Sequence, residues 1–135
     1  MGVCALVVSG LDFDVDRYLK GGPFKAISVF RKGQIPHKDN PTRQPRPDSG
    51  FIAIVSEDRE PGLSQQFKDA LAFLAEHEKE FGRLKDCGVD NMLLDFGLEV
   101  GDKIQQSGYM PPELILALGR FRMGLTFSAI QIPRG

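Results

Sequence analysis

The sequence predicts an α+β fold: a single, largely antiparallel sheet of about five strands with helices on one face. Three observations carry that expectation. Apolar residues alternate at strand period over 91–100 and again from Leu125. Between these stretches, Pro111 and Pro112 open a segment whose apolar residues recur at helical spacing. The first thirty-odd residues repeat the same strand, helix, glycine, strand order in looser form.

Taken from the N-terminus, Val3 to Val8 is a continuous apolar run suited to an interior strand. Asp14 can cap the following helix, with Phe13 packing on Tyr18 as a hydrophobic staple. Val15, Tyr18 and Leu19 are expected to face inward, and Gly21-Gly22-Pro23 stops the helix. Lys25 to Arg31 returns as a strand through Ile27, Val29 and Phe30.

Residues 32–50 hold Pro36, Pro41, Pro45 and Pro47, and read as a mobile basic loop within a single 1–135 domain. Phe51 to Val55 is the next strand. A long helix follows, with Ser64 as its candidate cap and Phe67, Ala70, Leu71, Leu74 and Phe81 as its buried stripe. Gly88 ends it. In the strand from Asn91 to Val100, Met92, Leu94, Phe96, Leu98 and Val100 share one face, while Leu93, Asp95, Gly97 and Glu99 share the other.

The last helix places Leu114, Ile115, Leu118 and Phe121 inward, and the last strand alternates Leu125, Phe127 and Ala129 with Thr126, Ser128 and Ile130. The order is therefore β-α-β-β-α-β-α-β, a ferredoxin-like start with an added α-β. A three-layer arrangement with a mixed sheet is the alternative.

At 135 residues the chain is long enough to bury a core without staples. Its net charge of -1 lacks the basic excess of a dedicated nucleic-acid binder. No apolar run reaches the roughly 18 to 20 residues of a membrane span, and no secretory leader is recognisable, so a cytoplasmic protein with no membrane partner is expected. Cys4 and Cys87 form neither a C-x-x-C motif nor a metal set.

Several familiar motifs fail on a named residue. The helix motif opened by His77-Glu78 has Phe81 where a zinc site needs its second histidine. Asp12, Asp14 and Asp16 imitate an EF-hand loop, but Arg17 replaces its turn glycine and Pro23 its closing glutamate. There is no G-x-G-x-x-G, phosphate loop or G-x-S-x-G elbow. No cofactor, metal or catalytic residue is expected.

Two groups of candidate residues remain. Arg31, Lys32, His37, Lys38, Arg43 and Arg46 gather in the proline-rich loop, where guanidinium groups can grip a carboxylate or phosphate with paired hydrogen bonds. The simpler reading of that loop is a solvated connection. Asp95 and Glu99 share a strand face and form a candidate acid pair. The simpler reading there is a solvated outer face.

The segments Ser9 to Leu19, Phe30-Arg31-Lys32-Gly33, Asp48-Ser49-Gly50-Phe51 and Pro112-Glu113-Leu114 through Phe127-Ser128 resemble an uncharacterised bacterial family, domain of unknown function 4279. The resemblance implies a compact α+β cytoplasmic protein and transfers no catalytic residue. The expected function is a small non-enzymatic interaction module, immunity-like or regulatory, that recognises an acidic partner. The alternative is an enzyme or small-anion binder with a pocket near Asp95 and the basic loop. A homodimer formed through an unpaired strand is a candidate assembly.

Overall fold

Alternating side chains give this sheet one face that the helices can bury and one that they leave alone. The computed structural model describes residues 2–35, 44–58, 63–100 and 109–131. Its elements are β1 (Gly2–Gly10), α1 (Val15–Gly21), β2 (Ala26–Phe30), β3 (Ser49–Asp58), α2 (Ser64–Glu76), α3 (Glu78–Asp86), β4 (Asn91–Val100), α4 (Pro112–Arg120) and β5 (Gly124–Gln131).

The sheet order is β2-β3-β1-β4-β5. β1, β2, β3 and β4 form the antiparallel ferredoxin-like arrangement, and β5 adds alongside β4 in parallel after the α4 crossover. The predicted α+β architecture is therefore the observed one. The two β-α-β units are not equivalent copies, because β3 separates β1 from β2 whereas β4 and β5 are direct neighbours.

Cys4, Leu6 and Val8 of β1, Phe51 and Ala53 of β3, and Met92, Leu94 and Phe96 of β4 point to the helix layer. There they meet Phe67, Ala70 and Leu74 of α2, Phe81 and Leu84 of α3, and Leu114 and Leu118 of α4. Each fully buried Leu or Phe contributes about 1.5–3 kcal/mol, so this one cluster carries most of the fold's stability. The interior strand expected over 3–8 is β1, the central strand of the sheet, with Cys4, Leu6 and Val8 buried on one face and Val3, Ala5 and Val7 half-buried on the other.

Local signals explain the helix ends. Asp14 Oδ1 accepts from the Arg17 backbone N–H at 3.2 Å, and the Phe13 and Tyr18 rings lie 5.7 Å apart, giving the expected cap and staple. The long helix is broken: His77 adopts φ -108°, ψ 22° between α2 and α3, with its ring 5.0 Å from Phe24 and 4.6 Å from Phe73. The His77 ring packs at the bend, which no breaker residue announced. Ser64 is the first helical residue and not the cap; Leu63 holds the cap position without a side-chain hydrogen bond.

Four of the apolar side chains that mark these elements in the sequence are exposed. Ile27 is the extra residue of an irregularity in the β2–β3 pairing and is 62% exposed. Ile115 is 55% exposed, and Leu125 and Phe127 are 40% and 49% exposed although Phe127 still packs on Phe96 at 5.8 Å. Alternation placed Leu125 and Phe127 on the helix side correctly, but they lie at the sheet's rim.

Candidate binding site

The face of the sheet away from the helices carries Val3, Ala5 and Val7 of β1, Ile52 and Ile54 of β3, and Leu93 of β4. All six are half-buried, and none joins the core cluster. No described helix lies over them. An apolar band in this position is left without a helix partner among the described residues.

At its β2–β3 end, Phe30 lies on the same face and is buried outside the core cluster. Gly50 lets it lie across β3, since a Cβ there would come within 2.5 Å of the Phe30 ring and 2.0 Å of the Val8 carbonyl oxygen. The Arg46 guanidinium carbon sits 4.5 Å from the centre of the Phe30 ring, a cation–π stack that covers the ring with a positive charge. The base of the basic loop is ordered here: the Gly33 N–H donates to the Arg46 carbonyl and the Arg46 N–H to the Gln34 carbonyl, each at 2.8 Å. The Lys32 N–H donates to Ser49 Oγ at 2.8 Å.

Arg31 has a different role. Its Nε and Nη2 bind the Asp16 carboxylate at 2.9 and 2.7 Å, holding the loop base to α1. That grip lowers the Asp16 pKa and raises that of Arg31. One of the three described basic residues expected to meet a partner, Arg31, is thus answered within the chain. His37, Lys38 and Arg43 lie outside the described residues.

At the opposite flank, Asp95 is half-buried on the same face and accepts from Thr126 Oγ1 at 2.6 Å and from Ser128 Oγ at 2.8 Å. The parallel register sets this up by pairing Asp95 with Thr126 and Gly97 with Ser128. The two hydroxyls were the missed partners: they alternate in sequence, but only the β4–β5 register brings them to Asp95. A carboxylate satisfied in this way is suited to orienting a surface. Glu99 shares the face by strand parity, and its side chain lies outside the described set.

Other clefts lie in the helix layer. One of about 400 Å³ between α1 and α3 is lined by Asp14, Arg17, Tyr18, Arg83, Asp86 and Cys87. Another of about 340 Å³ lies between α2 and α4, with the Arg120–Glu78 ion pair at its edge. Neither touches Asp95. Among the described residues no cluster of His, Cys, Asp or Glu is placed to hold a metal. No described helix is long and apolar enough to cross a membrane.

No family model, curated protein or solved structure matches the chain.

Proposed function

We propose that this chain is a non-catalytic interaction module that receives an acidic protein segment on the helix-free face of its sheet. The observation that carries the reading is the band formed by Val3, Ala5, Val7, Ile52, Ile54 and Leu93, which no described helix covers. Apolar side chains held by rigid strands form an interface at little entropic cost. Acidic preference is supported by Lys32 and Arg46 at the β2–β3 end, where Arg31 is already held by Asp16. The positive rim would set encounter rate and orientation, and the apolar band the residence time.

The resemblance to domain of unknown function 4279 is part of the same proposal, with a cytoplasmic, regulatory or immunity-like setting for the partner. The Asp95 flank would take part as a polar rim, its carboxylate fixed by Thr126 and Ser128.

The test is selection of displayed peptides against the wild-type chain, followed by binding of the enriched sequences to a Lys32→Glu/Arg46→Glu variant. Enriched peptides should combine Asp or Glu with apolar residues, weaken with added salt, and lose affinity for the variant. Enrichment of peptides without acidic residues, or undiminished binding to the variant, rejects the acidic-partner reading.

A further inference from the structure

We propose that β5 is a self-association edge: two copies of the chain add their β5 strands antiparallel across a two-fold axis, enclosing Ile115, Leu125 and Phe127 from each. This inference is independent of the partner assigned to the helix-free face.

The two edges of the sheet are built differently. β2 has five residues, an irregularity at Ile27, and Lys25 and Arg31 immediately outside it. Short length, a bulge and flanking charge are the devices that stop an edge from recruiting another strand. β5 has none of them. It runs for eight residues, contains neither proline nor a charged residue, and stays in unbroken register with β4 from Gly124 to Gln131. Among the described residues nothing pairs with its outer side, leaving a row of backbone donors and acceptors for another strand.

An apolar strip accompanies that edge on the helix side. Leu125 and Phe127 lie on the strand itself, half exposed. On α4, Glu113, Leu116, Ala117, Arg120 and Phe121 line the cleft toward α2. Ile115 is about 160° around the helix from Glu113, so it projects on the side away from α2, toward the β5 edge.

Symmetry then restricts the register. A two-fold axis perpendicular to the sheet keeps both helix layers on one side, and directly opposed residues of an antiparallel pair share a face. Identical strands must therefore place some residue opposite itself. Centring on Phe127 sets Thr126 opposite Ser128 and closes the two apolar strips together. A strand carrying Lys or Glu would risk opposing like charges when paired with itself; β5 meets no such penalty. The result is a continuous ten-stranded sheet, twice the five strands of one copy.

The test uses the full chain with Cys87→Ser, which removes the exposed native thiol. Wild-type protein should sediment as a dimer. Mild oxidation of a Phe127→Cys variant should give a covalent dimer, because the Cα atoms of opposed residues are about 4.5–5.5 Å apart, within disulfide reach. Ile27→Cys on the other edge should not crosslink. Ile115→Glu, at an exposed position, should raise the dimer dissociation constant roughly tenfold or more and leave the monomer's unfolding midpoint in place. A wild-type chain that stays monomeric, crosslinking at Ile27→Cys as readily as at Phe127→Cys, or a dimer indifferent to Ile115→Glu overturns the proposal.

Discussion

The Tyr18 hydroxyl donates to Glu80 Oε1 at 2.5 Å, joining α1 to α3 across 62 residues of sequence. Arg83 lies over the Tyr18 ring at 5.9 Å and reaches the same carboxylate at 3.6 Å. Tyr18→Phe keeps the aromatic packing on Phe13 and Phe51 and removes the donor. The expected cost is about 1–2 kcal/mol of unfolding free energy, read from denaturant melts. An unchanged midpoint would mean that the hydrogen bond adds nothing beyond ring packing.

The same contact sets an alkaline limb. Burial, then the Glu80 hydrogen bond and charge, push the Tyr18 pKa above its ordinary 10.0. In the unfolded chain the phenol ionises at the ordinary value while the folded chain still binds its proton, so stability falls as pH rises beyond about 10. Below that value this group contributes a constant. Tyr18→Phe should flatten its share of the limb in pH-dependent melts; an identical limb in both proteins contradicts the assignment.

Thiol reactivity should separate the two cysteines. Cys4 is fully buried, and burial followed by the Asp95 and Asp69 charges pushes its pKa up to about 12. Cys87 is exposed at the end of α3. At neutral pH an aromatic disulfide reagent should therefore titrate one thiol in the native protein and both after denaturation. Rapid modification of both in the folded state would show that β1 opens readily.

Gly50→Ala tests how Phe30 is seated. The new methyl would meet the Val8 carbonyl oxygen at 2.0 Å as well as the ring, so the β1–β3 backbone must shift and Phe30 with its Arg46 cover must move too. The expected loss is about 1–3 kcal/mol in denaturant melts, typical of overpacking. A neutral substitution would mean that both the β1–β3 backbone and Phe30 yield freely, so that Phe30 does not anchor the loop base.

Much of this architecture could be read from the chain because its periods are clean. The alternation Met92, Leu94, Phe96 marked the helix-facing side of β4, and Pro112 with Leu114 and Leu118 marked α4. What eluded the pattern was what lies over each face. Leu125 and Phe127 alternate as core residues do, yet their strand is at the edge, where burial depends on a neighbour and not on the strand itself. At the His77 break the ring packs on the distant Phe24, and the Asp95 hydroxyl partners depend on a parallel register set by a crossover. Arg31 looked available in sequence because Asp16 lies fifteen positions away and one element earlier.

The central claim is that the helix-free face serves a partner and not the fold. Its most direct measurement pairs the unfolding free energy of an Ile54→Lys variant with the variant's affinity for peptides selected against the wild-type chain. Stability should change by no more than about 1 kcal/mol, as for a partly exposed position, while binding is lost. Collapse of the cooperative transition, or peptide affinity equal to that of the wild type, would contradict the account.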